Sequence, residues 1–88
     1  MESRYQRSVI AKAKRLGALA VKVDASQNGW PDLEILLNGI TTHIEMKDDG
    51  ESPSPLQLAV HEQLRAHGGR VVVMVGKQTL EQVRAAIV

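Results

Sequence analysis

Gly29-Trp30-Pro31-Asp32-Leu33-Glu34-Ile35-Leu36-Leu37-Asn38-Gly39-Ile40-Thr41-Thr42-His43-Ile44-Glu45-Met46-Lys47 is the stretch that decides how this chain folds. Asn38-Gly39 separates two short apolar runs. Both residues accept the positive φ that a two-residue hairpin turn demands. The stretch therefore predicts antiparallel strands over about 32–37 and 40–47. With the turn centred on 38/39, simple register sets residue 32 opposite residue 45. Side chains alternate along a strand, so Thr41, His43, Glu45 and Lys47 share one face and Ile44 and Met46 the other. Asp32 and Glu45 then face each other across the hairpin, with Lys47 beside them.

Working outward, residues 2–16 read as a helix with Tyr5, Val9, Ala13 and Leu16 as its apolar stripe. Gly17 stops it. Residues 18–23 read as a strand and 24–31 as a polar loop. Beyond the hairpin, 48–53 is a polar loop. Ser54 then starts a helix, with Pro55 at its first position and Gln57 three residues after the cap. Leu56, Ala59, Val60 and Leu64 form its predicted buried stripe, and Gly68-Gly69 ends it. Residues 70–75 read as a strand buried on both faces. Residues 77–87 form a last helix with Leu80, Val83 and Ile87 inward. The order is α-β-β-β-α-β-α. A helical crossover before the fourth strand implies a mixed sheet. The expectation is one α/β domain over residues 1–88, a mixed β-sheet flanked by helices.

Composition narrows the function classes. With no cysteine in 88 residues, disulfides and thiolate metal sites are excluded. No apolar run is long enough to span a membrane, and nothing near Met1 resembles a signal peptide, so a cytoplasmic protein is expected. There is no phenylalanine, one tryptophan and one tyrosine, so aliphatic side chains must build the core. A core this short of aromatics favours a partner chain. The net charge of +1 conceals an asymmetry. Residues 1–22 carry six Lys/Arg against Glu2, residues 23–62 carry eight acids against Lys47, and residues 63–88 carry four Lys/Arg against Glu81. Basic ends around an acidic middle fit a polyanion binder with a metal site at its centre. Ordinary solvated charge on a small domain reads equally well from the charges alone.

The paired acids carry the chemical reading. Two carboxylates and a lysine on a sheet face that a helix should cover are costly without a partner. A divalent metal supplies one. Mg²⁺ or Mn²⁺ takes hard oxygen ligands, here Asp32, Glu45 and the Met46 backbone carbonyl, and leaves room for water and phosphate. Lys47 is placed to orient or deprotonate a water, or to stabilise a charged transition state. Taken singly, Asp32 reads as a turn residue after proline, and Glu45 and Lys47 as solvated strand residues. Together and in this order they read as a site. His43 reads as a packed or hydrogen-bonded histidine, Glu34 as a solvated acid and Trp30 as a hydrophobic plug. His61, one turn after Gln57, reads as a surface histidine able to face phosphate.

The Gly-Trp-Pro-Asp step, the Glu45-Met46-Lys47 run and the Ser54-Pro55-Leu56-Gln57 helix start, all after a Glu-bearing first helix, resemble the PD-(D/E)XK nuclease superfamily. Within it they are most similar to the virus-type replication-repair nuclease domain, VRR-NUC, in its free-standing form. The resemblance covers nearly the whole chain and implies an α-β-β-β-α-β core. It implies metal ligands at Asp32 and Glu45, a catalytic lysine at Lys47, and active-site roles for Gln57 and Glu2. Gln57 is also the reciprocal member of a Ser54 capping box, and the two roles are compatible. The resemblance further implies a metal-dependent endonuclease acting on branched DNA such as four-way junctions, as a homodimer in a phage or bacterium. DNA would be held through its backbone by Arg4, Arg7, Lys14 and Arg15, with His61 nearby. A restriction-type or non-selective nuclease of the same fold is the alternative. A non-catalytic nucleic-acid-binding domain is a further one, against which the intact trio argues.

Overall fold

In the computed structural model the described residues are 3–23 and 28–88. Three helices and one four-stranded sheet follow in the expected order: α1 (Arg4–Arg15), β1 (Leu19–Lys22), β2 (Leu33–Leu37), β3 (Ile40–Lys47), α2 (Pro55–Ala66), β4 (Arg70–Val75) and α3 (Leu80–Ile87). The strands lie in sheet order β1-β2-β3-β4. The first three run antiparallel and β4 joins β3 in parallel after the α2 crossover. This is the mixed α/β arrangement that the sequence predicts.

The hairpin forms as read. Asn38 and Gly39 adopt φ of 53° and 79°, and Leu33 pairs with Ile44 and Leu37 with Ile40. That register extends to residue 32 opposite residue 45. One face of the sheet packs against α1 and α3. Its core joins Val9 and Ala13 of α1, Ala18 and Ala20 beside and on β1, and Leu33, Ile35, Ile44, Met46 and Met74 of the strands. Val83 and Ile87 of α3 complete it. Tyr5 and Leu16 close the edge of this core only half-buried, so the α1 stripe is narrower than read. Val75, at the open end of β4, is exposed, and β4 is therefore buried on both faces only along its middle.

The same local chemistry starts all three helices. Ser3 with Gln6, Ser54 with Gln57 and Thr79 with Gln82 each close a reciprocal capping box. The Thr79 box explains why α3 begins three residues later than its apolar periodicity suggests.

The other sheet face is covered by α2, and here the structure corrects the sequence reading. Leu56 is 54% exposed and Ala59 is also on the surface. The inward residues are Gln57, Val60, His61 and Leu64, with His61 fully buried. The helix is rotated from the face that maximises aliphatic burial, because the sheet beneath it presents Glu45. Since α2 packs on β4, the β1–β2 half of this face remains open.

A close approach fixes α2 against the loop that leads to Asp32. At Gly29 (φ 77°) an added Cβ would lie 2.9 Å from Val60 Cγ2 and 3.0 Å from the Leu56 carbonyl oxygen. Gly39 has the same left-handed backbone but opens onto empty space. Gly29→Ala should therefore lower the unfolding free energy by about 1–3 kcal/mol more than Gly39→Ala does. Urea denaturation of the two variants measures the difference. Equal losses would mean that α2 shifts to relieve the contact.

Candidate active site

At the open ends of β2 and β3 the chain forms a cleft of about 200 Å³. It is bordered by Ser3, Tyr5 and Gln6 of α1, by Asp32, and by Glu45, Met46 and Lys47. Asp48, Glu51 and Gln57 complete the rim. The hairpin thus brings Asp32, Glu45 and Lys47 to one place, as its register predicts. Gln57 lines the cleft and also closes the α2 capping box, its Oε1 accepting from the Ser54 N–H at 2.9 Å. Both roles weighed for it are compatible with this position. Glu2 lies outside the described residues.

Asp32 is anchored from two sides. Its main-chain oxygen accepts from the Val23 N–H at 2.7 Å, which ties it to β1. Its Oδ2 accepts from the Met46 N–H at 2.9 Å. A side-chain carboxylate thereby stands where a further main-chain carbonyl of β2 would have continued the ladder. The bond fixes the Asp32 rotamer against the strand that carries Glu45.

Glu45 is 1% exposed, and its Oε1 lies 3.2 Å from His61 Nε2. Burial first, then hydrogen bonding with Asp32 and repulsion from its charge, push the Glu45 carboxyl up to about 8, while Lys47 opposes the shift. Burial, aided by the charges of Arg65 and Lys47, pushes His61 below the usual imidazole range. Both shifts disfavour ions, so without a cation the contact is a hydrogen bond between neutral groups. His61 is no surface histidine. Its ring has no accessible area and offers nothing to a phosphate. The periodicity misplaced it because a histidine at an interior helix position carries no apolar signal.

The basic residues divide. Arg4 lies 5.2 Å over the Tyr5 ring and borders a neighbouring groove with Ser8 and Lys77. Tyr5 belongs to both clefts, so Arg4 and Lys77 sit close to the acids. Arg7 is exposed one turn along α1. Lys14 and Arg15 lie in the last turn of α1, roughly 15 Å from its start by helix rise. His43 packs edge-on against Trp30 at 5.8 Å, with Glu34 3.5 Å from its Nδ1.

Sequence reasoning missed Ser3, Tyr5, Gln6, Asp48 and Glu51. Ser3-x-x-Gln6 repeats the spacing of Ser54-x-x-Gln57 and was there to be read. The loop acids carried no such signal. Tyr5 donates to Asp49 at 3.3 Å, and the Glu51 carboxylate accepts from the Asp48 N–H at 3.0 Å. These bonds hold the loop over the cleft.

The donor set suits a hard divalent cation. Among the described residues no three His, Cys, Asp or Glu side chains converge to hold an ion alone. Two carboxylates and a main-chain carbonyl beside an open cleft match what Mg²⁺ or Mn²⁺ takes from a protein, with solvent and phosphate supplying the rest.

Comparison with known proteins agrees with the fold. No protein-family model matches the chain. A solved structure described as "VRR_NUC domain" superposes with a TM-score of 0.77 at 34% identity, covering 96% of this chain and 90% of that one. The "Putative nuclease p44" of Acyrthosiphon pisum secondary endosymbiont phage 1 is 33% identical over 98% of this chain and 94% of its own length. The chain belongs to the VRR-NUC family of PD-(D/E)XK nucleases. Archaeoglobus fulgidus Hjc, a Holliday junction resolvase from an archaeal hyperthermophile, shares the VRR-NUC fold. Its TM-score is 0.66 at 18% identity, covering 84% of this chain and 67% of that one. No helix of the described VRR-NUC residues is long and apolar enough to cross a membrane.

The raised Glu45 carboxyl makes stability depend on pH. Between the ordinary value of 4.5 and about 8, the native state holds a proton that the unfolded chain has released. Metal-free protein should therefore lose stability as pH rises through that window, by on the order of a few kcal/mol in total. Glu45→Gln should flatten the loss. Denaturation in chelator at stepped pH reads both slopes, and equal slopes would refute the buried proton.

Proposed function

We propose that this VRR-NUC protein is a Mg²⁺- or Mn²⁺-dependent DNA endonuclease that prefers branched DNA such as four-way junctions and works as a homodimer. The observation that carries the proposal is the convergence of Asp32, Glu45, Lys47 and the Met46 main chain on one cleft. Asp32, Glu45 and the Met46 carbonyl would hold the ion. When bound, such an ion neutralises charge on the scissile phosphate and makes a water more acidic. Asp32 contributes a carboxylate already locked by the Met46 N–H. Glu45 would contribute a second one in its ionised form. Lys47 orients the attacking water and offsets the charge that grows on the phosphate. Gln57 and Gln6 line the same cleft with neutral amides beside the helix starts.

DNA is the substrate that the charge pattern supports. Arg4 and Lys77 beside the cleft, with Arg7, Lys14 and Arg15 along α1, suit a backbone that passes over the acids, and such binding weakens with salt. The junction preference draws on the fold shared with Hjc, itself a Holliday junction resolvase. The homodimer draws on the open half-sheet. Leu19, Val21 and Leu36 are 70%, 57% and 41% exposed on neighbouring strands of one face. A two-fold partner would bury them and set two clefts against two DNA strands.

Asp32→Ala, Glu45→Ala and Lys47→Ala should each lower cleavage by roughly 10²-fold or more while the protein stays folded. A variant that cuts at the wild-type rate would remove that residue from the site. Mg²⁺ and Mn²⁺ should sustain turnover, Ca²⁺ should allow binding alone, and excess chelator should abolish cleavage. A panel of labelled single-stranded, duplex, flap and four-way DNAs tests selectivity. Equal cutting of duplex and junction would end the junction preference but not the nuclease assignment.

The dimer is tested separately. Light scattering at micromolar concentration should give about twice the 9.6 kDa chain mass. Leu36→Lys should return the mass to one chain. A monomeric wild type would end the dimer proposal.

A further inference from the structure

α2 buries one residue completely, and that residue is His61. A helix lying on a sheet ordinarily gives such a position to Leu or Ile. Here Leu56 and Leu58 stay exposed while an imidazole goes inside. The ring makes one polar contact, Nε2 to Glu45 Oε1 at 3.2 Å. Its Nδ1 is buried with no hydrogen-bond partner among the described residues. A space-filling side chain needs neither nitrogen, and an orphaned buried nitrogen is a net loss to folding.

We infer that His61 is a positioning residue that holds the Glu45 carboxylate for the cation. The inference rests on the metal-dependent reading of the cleft and names a residue that this reading does not require. An ionised Glu45 can only accept, so the proton of a neutral His61 sits on Nε2 and donates to Oε1. Nδ1 is then a bare acceptor, and no N–H is left orphaned. The bond fixes the plane of the carboxylate and commits Oε1 to α2, which leaves Oε2 for the ion. Partners of this kind behind a ligating group set its orientation, and their loss typically costs about 10–100-fold in metal affinity. The close packing of α2 on the Gly29 turn keeps the imidazole at its station.

Two variants and one spectrum test the role. His61→Leu keeps the volume and loses the donor, while His61→Gln keeps an N–H near the position of Nε2. Mn²⁺ binding is measured by calorimetry without DNA, with thermal melting of each metal-free protein as the control for folding. We expect His61→Leu to stay folded at the assay temperature and to bind Mn²⁺ about 10–100-fold more weakly, with His61→Gln recovering most of the loss. In Mg²⁺-loaded wild-type protein, the long-range ¹H–¹⁵N spectrum should show a neutral His61 protonated at Nε2. If the leucine variant fails to fold, the glutamine variant and the spectrum decide. A His61 protonated at Nδ1, or a folded leucine variant that binds Mn²⁺ as tightly as wild type, overturns the role and leaves the nuclease reading intact. A wild type that binds no Mn²⁺ overturns the metal-dependent reading and this role with it.

Discussion

The register of the β2–β3 hairpin is the constraint from which both the core and the site follow. A strand has a side-chain period of two, so a slip of one residue would exchange its faces. Leu33, Ile35, Ile44 and Met46 would then leave the core, and Glu45 would turn toward α1 and α3. The Asn38-Gly39 turn prevents this locally, with both residues at positive φ. The Asp32 carboxylate prevents it from the other end by taking the Met46 N–H. One acid of the site therefore does two jobs. It terminates the ladder that aligns the site, and it presents an oxygen to the cleft.

Burying Glu45 as an ion is unfavourable, and the fold tolerates it because burial favours the neutral carboxyl. Its carboxyl is pushed up to about 8, and one of its side-chain partners is an imidazole that burial also shifts toward neutral. The protein thus avoids leaving an unpaired charge inside, the costlier alternative. What it forgoes is hydrocarbon packing at the centre of α2. A chain selected for stability alone would place an aliphatic side chain at position 61.

Much of the fold was legible because local signals and global packing agree in it. The hairpin turn, the Gly17 stop, the Ser54-Pro55 start and the aliphatic runs all point the same way, and every element appears in the order they predict. The reading failed at α2, where aliphatic periodicity chose Leu56 and Ala59 while the structure buries Gln57 and His61. That failure is informative, since residues that break a local rule tend to cluster where function overrides packing. The trio Asp32, Glu45 and Lys47 was legible because a hairpin register is arithmetic. Asp48 and Glu51 were not, because a loop has no period. Their position depends on Tyr5 reaching Asp49 from a distant helix.

A cleft with Asp32, Glu45, Asp48 and Glu51 on its rim must also be kept from repelling its own substrate. Two helix starts help. Ser3 and Gln6 belong to the first turn of α1 and its cap, and Gln57 to the first turn of α2, and all three border the cleft. Neither helix has an acid in its first turn. Their partial positive charges are therefore not spent on side chains of their own. They act on the cleft carboxylates when the cleft is empty of cations. A cation that offset part of that charge would let the same helix starts favour a phosphate. The capping amides of Gln6 and Gln57 seal main-chain N–H groups without adding charge, which an acid at the same positions would have done. Glutamine at both places thus satisfies the helix start without adding to the negative charge of the cleft.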